Sequence, residues 1–186
     1  FYLISLGFMG ILSGLALIFT SAYRKERLLT FFNPARDPLG SSYHIKQALI
    51  AIGSGGLWGL GLGQSRQKYQ FLPQVTTDSI FAIIAEEIGF FGAGLVILAL
   101  FFIVIRALRI ARLAPDSFSR LLAAAIAGWI GIQAVINLAA MLAFLPLTGV
   151  PLPFISYGGS SLIVTLAAVG LLLNISRFQL NPKKTS

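Results

Sequence analysis

The 186-residue chain has no cysteine, one histidine (His44) and six acidic residues against fourteen lysines and arginines. Without cysteine there is no disulfide, no thiolate zinc cluster and no thiol nucleophile. A single histidine excludes a multi-histidine metal site, and any Ser-His-Asp triad built on another histidine, within this chain. Charge is scarce altogether: 11% of residues are charged and 56% are hydrophobic, where an ordinary soluble domain is roughly a quarter charged.

Long apolar runs take the place of those residues. Phe1–Ala22, Ile80–Ile105, Leu121–Leu145 and Gly159–Ile175 are almost free of charge. Each approaches or exceeds the roughly 17–25 apolar residues that cross a bilayer core as a helix. Inside lipid the backbone has to satisfy its own hydrogen bonds, so these runs are expected to be helices. The expected fold is an all-α integral membrane bundle with four transmembrane helices (1–22, 80–105, 121–145 and 159–175) and a long outer loop, 23–79. No charged segment precedes the first run and Arg24-Lys25-Glu26-Arg27 follow it closely, which is not the pattern of a secretory leader. The chain opens inside an apolar run without an initiating Met, and reads as a piece of a larger protein.

Orientation follows from the short loops. Arg106, Arg109, Arg112 and Arg120 separate the second and third runs, and Arg177, Lys183 and Lys184 follow the last. Three consecutive crossings put both basic segments on one side, and Pro146–Tyr157 on the other side has no Lys or Arg. The basic side is therefore cytoplasmic, and Asp78 faces outward. The long outer segment is nevertheless basic, with Arg24, Lys25, Arg27, Arg36, Lys46, Arg66 and Lys68. It is either a solvated loop near lipid headgroups or a set of cations placed for an anionic ligand such as a diphosphate.

Several polar features stand out against the apolar background. Asp78 lies where a polar, basic loop turns into a long helix. There it is either a helix cap or a carboxylate able to take a proton from a lipid-linked substrate. Ile45–Leu62 is apolar but broken by Gly55-Gly56, Gly59 and Gly61, which fits an interfacial or re-entrant helix better than a crossing. In Pro146–Ser161 three prolines impose an extended path, and Ser160 or Ser161 is placed to cap the next helix. A capped helix start favours phosphate, while the alternative is a stiff turn with small residues for helix packing. Glu86 and Glu87 lie about 12–14 Å further along the helix that follows Asp78 and point roughly 100° apart, which suits a structural or proton-tuning role. Gln133 and Asn137, four residues apart, form a polar stripe of the kind that joins helices.

Four motifs carry a resemblance. They are Asn33-Pro34-Ala35-Arg36-Asp37-Pro38-Leu39-Gly40-Ser41-Ser42-Tyr43, then Ile52-Gly53-Ser54-Gly55-Gly56-Leu57-Trp58-Gly59-Leu60-Gly61-Leu62-Gly63. Phe81-Ala82-Ile83-Ile84-Ala85-Glu86-Glu87-Ile88-Gly89 and Pro151-Leu152-Pro153-Phe154-Ile155-Ser156-Tyr157-Gly158-Gly159-Ser160-Ser161 follow in the same order. From about Tyr23 to Arg177 the chain resembles the SEDS family of bacterial wall synthesis, its division branch (FtsW) more closely than its elongation branch (RodA). Several motifs in register make the likeness specific.

The resemblance implies a ten-helix glycosyltransferase of the bacterial cytoplasmic membrane that polymerises lipid II, with this chain as its C-terminal half. The family's essential acid maps onto Asp78 as the catalytic base, facing outward. Lys46, Arg66, Lys68, Ser160 and Ser161 become the expected substrate-binding residues, the cations serving a departing undecaprenyl diphosphate. The acceptor hydroxyl would displace an α-linked donor in one step to give a β-linked product. Expected partners are lipid II, the growing lipid-linked glycan, a class B penicillin-binding protein transpeptidase and other division proteins, with no nucleic acid. No residue is expected to ligate a metal, and a divalent cation on the diphosphate is left open. The chain has Pro73-Gln74 where the family usually has Pro-Glu, and Thr76-Thr77-Asp78-Ser79 where it has His-Thr-Asp-Phe. These departures touch the tuning of the loop more than the acid itself. A lipid II flippase and a non-catalytic division scaffold are the competing functions.

Overall fold

A computed structural model describes residues 20–33, 41–65 and 78–180, together with Ser5, Phe8, Met9, Leu12 and Ser13. The first expected span, 1–22, lies largely outside the described residues, as do Arg36, Arg66 and Lys68. The described elements are all helical. They are α1 (Ala22–Phe32), α2 (Ser41–Ser54), α3 (Ile80–Leu113), α4 (Ser117–Met141) and α5 (Gly159–Leu180).

Among the described residues, α3, α4 and most of α5 are long and apolar enough to cross a membrane. α3 is apolar around its whole circumference and exposes Phe90, Phe91, Leu95, Leu98, Phe101 and Phe102, as expected of a helix whose outside faces lipid. Its part beyond Gly89, residues 90–113, is by itself about 36 Å long, already beyond the ~30 Å hydrocarbon core. Arg106, Arg109 and Arg112 therefore sit on its last turns, not in the loop where the apolar run alone would end it. Long aliphatic stems let such side chains reach the interface while the helix continues.

A three-residue turn links α3 to α4. Asp116 caps α4, its side chain accepting from the Ser119 amide at 2.8 Å. That bond, with further contacts to first-turn amides, holds the Asp116 carboxyl below its ordinary range. The α3–α4 seam is lined by Ala107, Ala111, Ala114, Ala123 and Ala127, with Ile126 and Ile130. Small side chains let the two backbones come close, which is how helices associate in lipid. A second cluster, at the N-terminal end of α3, joins Ala48 and Ala51 of α2 to Phe81, Ala82 and Ala85 of α3, and to Met141, Leu147 and Leu152.

The glycine-rich stretch after α2 does something that spacing does not reveal. α2 stops at Ser54, after 14 residues, too few to cross, and the chain then turns down along α3. α3 is broken at Gly89 (φ 76°, ψ −169°). Two carbonyls and two amides beside the break are bonded by the glycine turn. Leu60 N donates to Glu86 O (2.9 Å) and Gly61 N to Glu87 O (3.0 Å), while Phe90 N and Phe91 N donate to Gly56 O (2.9 Å) and Leu57 O (3.4 Å). Non-helical backbone at membrane depth is tolerated where protein satisfies it in this way. The approach is too close for side chains. A Cβ on Gly59 would lie 2.2 Å from Glu87 O, at a φ of +80°.

Gly59→Ala is expected to destabilise the protein by about 1–3 kcal/mol through overpacking and positive φ. Gly53→Ala, in helix with nothing within 4 Å of the new Cβ, is expected to leave stability unchanged or raise it by up to ~1 kcal/mol. Thermal unfolding of the two purified variants checks this. Equal behaviour would mean that the turn does not hold the α3 break closed.

Candidate active site

The polar centre is built where α2, the start of α3 and the loop after α4 converge. α2 turns His44, Ala48 and Ala51 inward, a helical i, i+4, i+7 face. α3 begins at Ile80, with Ser79 in the capping position and Asp78 just before it. Asp78 is 5% exposed, Ser79 0% and His44 8%. His44 Nε2 and Ser79 Oγ are hydrogen-bonded at 2.6 Å. Burial holds the His44 imidazole below its usual range; the Asp78 carboxylate pulls it up and the Arg27 guanidinium of α1 pushes it down.

α4 contributes the second anchor. Asn137, 1% exposed, donates through Nδ2 to the main-chain carbonyl of Asp78 (2.9 Å) and to that of Val150 (2.8 Å). Its Oδ1 has no partner among the described residues. One turn earlier, Gln133 Nε2 donates to Pro151 O at 2.9 Å. Arg27 Nη1 donates to Leu147 O at 2.8 Å, and Ser156 Oγ accepts from Leu152 N at 2.7 Å. The polar stripe expected at Gln133 and Asn137 is therefore present, but it grips loop backbone and not another helix. The reason is chemical: an extended, proline-bearing loop has carbonyls that no ladder or helix satisfies.

Deeper along α3, Glu86 is 1% exposed and accepts from Ser65 Oγ at 2.5 Å. Glu87 is only half-buried, and its Oε1 is buried without a partner among the described residues. The two acids thus go separate ways, as adjacent helix positions require. No three His, Asp or Glu side chains gather as a metal-ligand set among the described residues.

The residues singled out from the sequence fare unevenly. Asp78 is in the buried centre. It does not occupy the capping position of α3, which falls on Ser79, and Ser79 makes no side-chain capping bond. Lys46 is exposed and stands about 200° around α2 from His44, so it is outside the buried cluster. Arg66 and Lys68 lie outside the described residues. Ser160 and Ser161 are inside the first turn of α5, which starts at Gly159, and Gly158 O accepts the Leu162 amide. Neither serine is therefore the cap expected of it, because the helix starts before them. Sequence reasoning missed His44, Ser79 and Arg27 as members of the centre. His44 is visible as the sole histidine, Arg27 as one of the basic residues of 23–79 and Ser79 as a departure from the family pattern, but nothing in the sequence links the three.

Comparison with known proteins decides the family. The family of cell cycle proteins that groups FtsW, RodA and SpoVE matches residues 1–181. This chain belongs to that family. It is 46% identical over 177 residues to stage V sporulation protein E of Bacillus subtilis, covering 95% of this chain and 48% of that protein. It is 49% identical over 161 residues to the probable peptidoglycan glycosyltransferase FtsW of Trichlorobacter lovleyi, covering 86% of this chain and 42% of that protein. Among solved structures, a chain described under the structural coordination of polymerization and crosslinking by a peptidoglycan synthase complex superposes with a TM-score of 0.69. It shares 32% identity and covers 95% of this chain and 48% of its own length. The rod shape determining protein RodA of Thermus thermophilus superposes with a TM-score of 0.54 at 39% identity, over 71% of this chain and 39% of its own. This chain of the family spans a little under half the length of the relatives it matches. Membership and three span-length helices make it part of a multi-pass membrane protein.

Asn137→Leu removes both hydrogen bonds and leaves two carbonyls without their donor, at roughly 1–3 kcal/mol for each buried group left unpaired. Gln133→Leu strands one, so its loss of stability is expected to be clearly smaller. Thermal unfolding of both variants in the whole protein measures the difference. Equal small losses would show that the Asp78 carbonyl is not held from α4.

Proposed function

We propose that this chain carries the acidic centre of a peptidoglycan glycosyltransferase that polymerises lipid II at the outer face of the bacterial cytoplasmic membrane. The observation that carries the reading is the buried Asp78 at the mouth of α3, its backbone held from α4 and its neighbour Ser79 held from α2. Relatives named probable peptidoglycan glycosyltransferases support the reaction class. The arginines at the far end of α3 and Arg177 at the end of α5 support an outward-facing Asp78 through the positive-inside rule.

In this mechanism the Asp78 carboxylate removes the proton from the acceptor sugar hydroxyl as that oxygen attacks the anomeric carbon of the donor. The donor's bond to the undecaprenyl diphosphate breaks in the same step, and the α-linkage inverts to β. A base of this kind works within hydrogen-bond reach of the hydroxyl. The departing diphosphate needs fixed positive charge. Arg27 brings such charge to the centre, and Lys46, Arg66 and Lys68 are candidates on the outer segment. Ser160 and Ser161, in the first turn of α5, are candidate donors to phosphate. The synthase-complex neighbour supports a crosslinking partner, which we assign to the class B penicillin-binding proteins of the division machinery.

One observation favours a second reading, a lipid II flippase. The break at Gly89 beside the buried Glu86 and the partly buried Glu87 is of the kind found where transporters bind ions within the membrane.

Asp78→Asn in the whole protein separates the two. Asn keeps the size of Asp, so stability is expected to stay within ~1 kcal/mol. Loss of the base predicts a fall of roughly 10²–10⁴-fold in polymer made from labelled lipid II in detergent. Near-normal polymer from a folded Asn variant would return Asp78 to a structural role and favour the flippase.

A further inference from the structure

His44 is the chain's only histidine, it is buried, and the reaction described above assigns it no part. Its geometry is unusual for a packing residue. Ser79 occupies the capping position of α3, where a serine hydroxyl ordinarily accepts from a first-turn amide. It does not do so here. Its backbone (φ −96°, ψ 6°) is not the extended conformation of a capping residue, and its side chain makes no capping bond. The hydroxyl is hydrogen-bonded instead to His44 Nε2, 35 residues away in sequence, at 2.6 Å. The helix thus forgoes a capping bond in favour of a tether to α2.

The tether acts on the peptide next to the proposed base. Asn137 of α4 holds the carbonyl of Asp78, and His44 of α2 holds the side chain of Ser79. Consecutive residues are therefore fixed from two different helices. Together the two bonds restrict the peptide unit between Asp78 and Ser79, and with it the direction in which the Asp78 carboxyl leaves the backbone. Arg27 of α1 and Asp78 are the charged groups that act on the imidazole. α4 brings no titratable side chain to it, since its only charged residue, Arg120, is in the first turn at the opposite end of that helix. Burial and Arg27 favour the uncharged ring, which can hold Ser79 without cancelling the charge of Asp78.

We infer that His44 is a positioning residue for the reaction, fixing Ser79 and thereby the orientation of the Asp78 carboxylate toward the acceptor hydroxyl. This rests on the glycosyltransferase reading above. Misplacement of a catalytic group by about an ångström costs on the order of 10²-fold in rate. His44→Leu in the whole protein is therefore expected to lower kcat for lipid II polymerisation by roughly 10–100-fold with KM unchanged. His44→Gln, which can still hydrogen-bond Ser79, is expected to restore most of that loss. Ser79→Ala removes the same bond from its other end, and serves if His44→Leu does not fold; it is expected to lower kcat in the same way. Wild-type kcat in folded His44→Leu or Ser79→Ala would overturn the positioning role, as would equal losses in the Gln and Leu variants. Asp78→Asn, assayed alongside, keeps the two claims apart. Activity retained there dismisses the glycosyltransferase reading and this inference with it. Activity lost there but kept in folded His44→Leu dismisses only the role of His44.

Discussion

A main-chain amide or carbonyl that leaves helical geometry inside a membrane bundle has no water to turn to, and each one left unpaired costs several kcal/mol. Among the described residues two places meet that constraint, and the helices around them are arranged to suit. At the break in α3 the glycine turn supplies four backbone partners from Gly56, Leu57, Leu60 and Gly61. At the start of α3 the carbonyls of Asp78, Leu147, Val150 and Pro151 are taken by side chains, from Asn137, Arg27 and Gln133. The first closure allows α2 to lie against α3. The second binds the loop after α4 to the mouth of α3.

The proposed chemistry depends on both closures. α2 brings His44 to Ser79 only because the turn that follows it docks on the Gly89 break, and glycine is what permits that approach at Gly55 and Gly59. α4 brings Asn137 to Asp78 because the alanine-lined seam lets the two long helices run close together. The acid is thus mounted on three helices instead of a free loop, which is the arrangement a base needs to meet a substrate hydroxyl in one geometry. The same break leaves Glu86 and Glu87 within the span, the first paired through Ser65 and the second with a buried oxygen that has no partner among the described residues. Buried acids of this kind in a span usually mark function, and they keep the transport reading worth testing.

The three described spans were legible because apolar runs of the length of Leu121–Leu145 have few alternatives in water or lipid. Their ends were less so. Arg106, Arg109 and Arg112 read as loop residues by composition, yet they are helical, since long basic side chains reach the interface without ending the helix. The glycines of 55–63 announced broken structure but not its partner, because the four bonds to α3 are made by backbone, which carries no sequence identity. Gln133 and Asn137 showed their shared face through spacing alone, while their acceptors are carbonyls of Asp78, Val150 and Pro151. Asp78 stood out as a candidate through motif likeness and its position before a helix. His44 and Ser79 were not, because nothing local links residues 35 positions apart; Ser79 appeared only as a departure from the family pattern.

The central claim is that Asp78 stands at the reacting sugar, held there by α2 and α4. The most direct measurement is a cryo-electron microscopy structure of the whole protein with an acceptor glycan and a non-transferable lipid-diphosphate donor analogue. An Asp78 carboxylate oxygen about 2.6–3.2 Å from the acceptor hydroxyl, with the Asn137 and His44 bonds intact, is the predicted result. Saccharide bound away from Asp78, along the Gly89 break beside Glu86 and Glu87, would contradict it.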